Sequence, residues 1–191
     1  MAGKQAKILS NAHISALRDY CLKTRYLIQN LAIVLLSTKA GLRAGEIAKL
    51  TWEIILNPSG TVGQTIELQD RIVKKGSGRY LPIHSELRTV LEKLRRNSCC
   101  SGPVILSERG QRMNDLSIVI WFATVYRKLG LAGCSSHSGR RTFITRAARM
   151  VHKAGGSLRD VQILVGHRSI QTTQRYIEGD SDAQRTLVEL V

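Results

Sequence analysis

Cysteine is scarce in this 191-residue chain: Cys21, Cys99, Cys100 and Cys134 are the only four, and none is spaced C-x-x-C. Adjacent Cys99 and Cys100 are poor geometry for a mutual disulfide, and no Cys/His spacing matches a zinc site, so neither a disulfide framework nor a metal centre is expected. Unpaired thiols suit a reducing cytoplasm. Long apolar runs are also missing. The longest, Leu31 to Leu36, is far shorter than a bilayer requires, and no signal peptide opens the sequence. A cytoplasmic protein without a membrane partner is therefore expected. Acidic residues number only 14, with no cluster of carboxylates of the kind a two-metal nuclease needs. Gly76-Ser77-Gly78 lacks the G-K-[ST] ending of a phosphate-binding P-loop. Aromatics make up 5%, which leaves Leu, Ile, Val and Ala to build the core.

What the chain has in excess is positive charge. Lys and Arg total 29, giving a formal net charge of +15, and the basic residues run from Lys4 to Arg185 without forming a tail. A folded domain this basic repels itself unless a polyanion neutralises it. Nucleic acid is the usual one, because each neutralised phosphate releases counterions. With 43% hydrophobic residues, a normal core is available and disorder is not expected.

Apolar residues recur three or four apart from Ile14 to Leu35, which predicts two helices broken near Thr24. Gly41 reads as a helix stop, ahead of a helix from Arg43 to Leu50. The character then changes. Thr65 to Leu68 alternates polar and apolar, and Arg71-Ile72-Val73 and Tyr80 to Ile83 flank a basic, glycine-containing tip. A small antiparallel sheet of about three strands follows from these segments. Helical spacing returns from Ser85 to about Arg96, Asn114 to Leu129, Gly139 to Ala154, Leu158 to Val165 and Ile170 to Ile177. Ser157 and Asp160 form a capping box. The fold class is thus α+β and mainly helical.

Four blocks carry candidate chemistry: Gly41-Leu42-Arg43-Ala44-Gly45-Glu46; the basic tip at Lys75-Gly76; Ser136-His137-Ser138-Gly139-Arg140-Arg141; and Leu164-Val165-Gly166-His167, with Tyr176 nine residues after the histidine. Phosphodiester cleavage without a metal demands groups of these kinds. The pentavalent transition state needs cations on its non-bridging oxygens, and the planar fork of arginine matches two of them. A phenol, with a free pKa near 10, needs proton removal and a cationic pocket to act as nucleophile. In this order and spacing the blocks resemble the tyrosine recombinase (phage integrase) family, across about residues 10 to 180. The resemblance implies a DNA breaking-rejoining enzyme fold. It implies that Arg43 and Arg140 clamp the scissile phosphate and that His167 donates a hydrogen bond to it. Lys75 would protonate the leaving 5'-oxygen, His137 would assist proton transfer at the tyrosine, and Tyr176 would form a 3'-phosphotyrosyl bond. It implies no cofactor and no metal. The partner it implies is double-stranded DNA, held by a homo-oligomer, in this family a tetramer, with an accessory DNA-bending protein as a further candidate.

Each residue also has a plainer reading. Arg43 could be a solvated helix-start arginine, His137 a cap, His167 a partner for the last carbonyls of a helix, and Tyr176 an ordinary amphipathic tyrosine. It is the complete ordered set that favours chemistry. Glu46 reads as structural, holding its helix or a neighbouring arginine. Lys74 competes with Lys75, since strand alternation sends only one of them inward; Lys75, directly before Gly76, is favoured. Arg71, Lys74, Arg79, Arg112, Arg141, Arg146 and Arg168 read as DNA-backbone contacts or solvated charges. Two departures from the family stand out. Arg141 occupies a position that is often histidine. The stretch from Arg140 to Leu158 is about four residues long in excess, near one helical turn of about 3.6 residues. The expected organisation is one catalytic domain over residues 1–191, with a tail over 178–191 and no N-terminal core-binding domain. Such a chain is expected to bind DNA weakly or to need a partner protein. Beside site-specific recombination, a type IB topoisomerase-like activity and a non-catalytic DNA-binding regulator remain alternatives.

Overall fold

The computed structural model describes residues 5–70, 78–96, 101–177 and 188–189. Eight α-helices stand among the described residues: α1 (Asn11–Leu22), α2 (Leu27–Thr38), α3 (Ala44–Lys49), α4 (Ser85–Arg96), α5 (Asp115–Lys128), α6 (Ser138–Met150), α7 (Leu158–Val165) and α8 (Ile170–Gln174). The caps explain several starts. Ser10 accepts from the His13 amide ahead of α1, Asn114 accepts from the Ser117 amide ahead of α5, and the Ser157 amide donates to Asp160 at α7. Gly41 closes α2 at φ +63°, where a side chain would overlap the Phe143 ring. None of the described helices is long and apolar enough to cross a membrane.

Helix α2 is the central element. It is apolar almost all round and packs against α1, α4 and α6, while α3 packs on α5. Its residues 32–36 are fully buried in the main core, with Leu17, Leu42, Ile47, Trp52, Leu87 and Phe122. A second, smaller core joins α6 and α7 through Ile144, Ala148, Val151, Val161 and Val165, and Tyr176 packs against it. In the first turn of α6, Arg140 bonds the carbonyl of Gly41, between Ala40 and Leu42 of the main core, and that of Val165 in the smaller core.

The sheet differs from expectation. Two strands are described, β1 (Thr65–Leu68) and β2 (Arg79–Pro82), antiparallel, with Leu68 opposite Arg79 and Ile66 opposite Leu81. The expected third strand, Arg71–Val73, lies outside the described residues, as do Lys74, Lys75 and most of the 178–191 tail. The strand partner of residues 79–82 is therefore 65–68. Alternation turns Ile66, Leu68, Arg79 and Leu81 inward and leaves Tyr80 exposed. Following α6, residues His152–Ala154 make a 3-10 turn that ends at Gly155. The segment after α6 thus ends in a tighter turn.

Candidate active site

The site begins with one buried carboxylate. Glu46 occupies the third position of α3 and accepts from the amide of Arg43, its cap residue (3.0 Å), and from the Arg43 guanidinium (2.8 Å). The three-residue spacing thus caps the helix and aims one arginine at once. Two more guanidinium groups approach the same carboxylate. Arg79 of β2 donates to both oxygens, at 3.3 and 3.2 Å, and Arg140 of α6 stands 3.9 Å away. Burial alone would raise the Glu46 carboxyl. The Arg79 cation and its hydrogen bond, then Arg140 and the Arg43 amide, outweigh burial and hold it below the ordinary carboxylate range.

Arg140 is almost fully buried and is fixed by two carbonyls. It donates to Gly41 at 2.6 Å, from the turn after α2, and to Val165 at 2.8 Å, from the end of α7. Burial, reinforced by Arg43, lowers its pKa to about 9, so the guanidinium stays cationic at neutral pH. Gly41 and Val165 belong to two distant stretches of sequence, and Arg140 ties them together.

His167 follows Gly166, which ends α7 at φ +67°; a side chain there would come within 2.9 Å of the Arg79 guanidinium. The His167 amide donates to the Gln162 carbonyl (3.1 Å), and Gln162 donates its side-chain amide to the His167 carbonyl (2.9 Å). On the ring, Nδ1 lies 3.0 Å from the hydroxyl of fully buried Thr173. With that hydroxyl as donor the ring proton sits on Nε2; with it as acceptor the proton sits on Nδ1. Desolvation, then the cations Arg140, Arg43 and Arg79, lowers the His167 pKa to about 4, so the ring is neutral near pH 7. The Tyr176 ring stacks on it at 5.6 Å between centroids, with 24° between planes.

Arg43, His137, Arg140, His167 and Tyr176 line one open cleft of about 520 Å³, with Arg141 and Arg175 beside them. Five of the six expected site residues are thereby brought together from three separate blocks. Lys75, the sixth, lies outside the described residues. His137 is exposed on the cleft wall, its amide donating to the Ser135 hydroxyl at 3.3 Å. The cleft offers two arginine forks, a neutral imidazole and a phenol facing one space, which suits a tetrahedral or pentavalent phosphorus anion.

The phage integrase family model matches residues 7–182. The chain belongs to that family. Among its relatives, a tyrosine recombinase XerC from Pelobacter propionicus is 31% identical over 163 residues, covering 83% of this chain and 48% of that protein. This phage integrase family chain spans about half the length of the curated relatives it matches. A crystal structure of XerA recombinase superposes with a TM-score of 0.73 at 22% identity, over 96% of this chain and 64% of the other. The Tn1549 transposon integrase in complex with a circular intermediate DNA gives 0.72 at 16% identity, over 98% and 66%. At these identities the two structures establish the fold alone: mainly helical, with a small antiparallel sheet.

Three arginines behave differently from their sequence reading. Arg79, read as a solvated charge or DNA contact, is only 3% exposed and is spent on Glu46 and on the Leu164 carbonyl (3.0 Å). Strand register buries it, placing Arg79 on the same face as Leu81. Arg141 donates to the Ala6 carbonyl at 2.9 Å, so the segment before α1 is fastened beside the cleft. In the same segment the Leu9 amide donates to buried Thr142 at 2.8 Å, and Arg146 donates to Asn11.

Proposed function

We propose that this chain is a site-specific DNA recombinase of the integrase or invertase type, working through a covalent 3'-phosphotyrosine on Tyr176. The observation that carries the reading is the shared cleft of Arg43, His137, Arg140, His167 and Tyr176, with Glu46 buried behind the arginines.

In the proposed reaction, the Tyr176 oxygen attacks the scissile phosphorus in line. The phosphorus–O5' bond breaks, leaving a 3'-phosphotyrosyl linkage and a free 5'-hydroxyl. Arg43 and Arg140 hold the non-bridging oxygens, whose charge develops in the transition state. Neutral His167 adds a hydrogen bond from Nε2 without bringing a proton of its own into play. His137 accepts the phenolic proton, and Lys75 supplies one to the leaving 5'-oxygen. Because the covalent bond conserves the phosphoester energy, a 5'-hydroxyl from another strand can reverse the step. No cofactor or metal enters the scheme.

Membership of the family, with a XerC recombinase among the relatives, supports strand exchange over topoisomerase-like relaxation or passive DNA binding. The formal charge of +15 supports double-stranded DNA as partner. The assembly proposed on DNA is a homotetramer, with an accessory DNA-bending protein and a nucleoid-associated, cytoplasmic setting.

The test uses a pool of nicked duplexes of randomised sequence, incubated with the chain in EDTA. The nick lets a short leaving strand diffuse away and traps the covalent state. Wild type should give an adduct that survives detergent and is enriched for one sequence, and Tyr176→Phe should give none. Sequence-selective retention of DNA without any adduct would instead support the regulator.

A further inference from the structure

Arg79 lies behind the cleft and does not line it. Its guanidinium is 3% exposed, donating through two nitrogens to the two oxygens of Glu46 and through Nε to the Leu164 carbonyl. A carboxylate offers about four lone-pair positions. At Glu46 all four are filled. One oxygen takes Arg43 Nη1 and Arg79 Nη1; the other takes the Arg43 amide and Arg79 Nη2. Nothing is left for Arg140, which sits 3.9 Å from the nearer oxygen and bonds the Gly41 and Val165 carbonyls. A guanidinium has five N–H donors, so the two spent on carbonyls leave three that can turn to an anion in the cleft.

We propose that Arg79 is a positioning residue that saturates Glu46 and so keeps Arg140 from collapsing onto that carboxylate, reserving Arg140 for the DNA phosphate. The inference rests on the recombinase reading above and deepens it. Three guanidinium groups around one carboxylate leave an excess of two positive charges at the site before any ligand arrives. Such an arrangement is costly to bury and invites the nearest cation to close on the anion. Arg79 occupies the two positions through which that closure would occur. Its bond to Leu164 also fixes the last turn of α7, immediately ahead of Gly166 and His167. Removing Arg79 opens two acceptor positions on Glu46, and Arg140 moves to fill them.

The experiment measures, on the nicked duplex selected by wild type, the dissociation constant and the single-turnover adduct rate at saturating DNA. It is run well below each variant's melting temperature. Wild-type adduct formation on that duplex checks the recombinase reading, so loss of that reading and loss of this inference are separable. For Arg79→Met, the rate per folded molecule should fall about 100-fold while the dissociation constant stays within about threefold, the pattern of a misplaced catalytic group. Adding Glu46→Gln should recover about 10-fold of the lost rate, because a neutral amide attracts Arg140 less while its carbonyl oxygen still accepts from the Arg43 guanidinium. A merely structural role would make the second substitution additive. Should Arg79→Met fail to fold, Arg79→Lys serves: its single nitrogen leaves Glu46 partly open, so a loss of about 10-fold at unchanged affinity is expected. A wild-type rate in the folded variant, or a double variant slower than Arg79→Met, overturns the proposal.

Discussion

At the scale of single residues, the site is a set of charges held by groups that themselves need holding. His167 shows this in its protonation. Burial and three nearby arginines bring its pKa from 6.5 to about 4. An unfolded chain therefore takes up a proton near pH 6.5 that the folded chain refuses. The sign follows from linkage: the stability contribution is complete above pH 6.5 and is lost as pH falls from there towards 4. Urea unfolding in phosphate-free buffer should show this loss in wild type and a flatter profile over the same window in His167→Gln. Superimposable profiles would contradict the assigned environment. Arg43, His137, Arg140, His167 and Tyr176 were all legible in the sequence, because motif order and the nine-residue interval to Tyr176 mark them. Arg79 was not. A lone arginine beside a glycine-containing tip looks like any solvated charge until strand register turns it inward, opposite Leu68.

Among the elements, the helices could be read from periodicity and capping, and the break near Thr24 and the stops at Gly41 and Gly155 fall where glycine or turn chemistry demands. The sheet was only partly legible. Its strands are four residues long, too short for alternation to choose between two candidate partners. Hydrogen-bond register decided the pairing, and register is a tertiary property. The α7 ending carries a prediction of its own. Gly166 combines a left-handed backbone with close packing against Arg79. Gly166→Ala should cost about 1–2 kcal/mol from the backbone conformation alone, with further loss from displacing the guanidinium. Chemical denaturation gives that figure, and an unchanged midpoint would show that the turn relaxes freely.

For the molecule as a whole, fold and charge combine into one basic body whose cleft is lined by Arg140, which bonds a carbonyl at each core. The charge balance was plain in the sequence. What composition could not convey was placement, because 29 basic residues include several, such as Arg79 and Arg140, that are committed to internal carboxylates and carbonyls. The remaining surface cations should make DNA binding strongly salt-dependent. With six to ten phosphates neutralised, affinity for a duplex should drop roughly 10³- to 10⁵-fold between about 50 and 200 mM salt. Filter binding across that range gives the slope, and a salt-insensitive affinity would remove phosphate contacts as the main source of binding. The central claim is chemical, however, and mass spectrometry of the trapped adduct reaches it most directly. After nuclease trimming and trypsin, the peptide that begins at Tyr176, directly after Arg175, should carry the nucleotide through a 3'-phosphate, with a free 5'-hydroxyl on the released strand. A nucleotide on any other residue, or a 5'-phosphoryl linkage, would contradict the account.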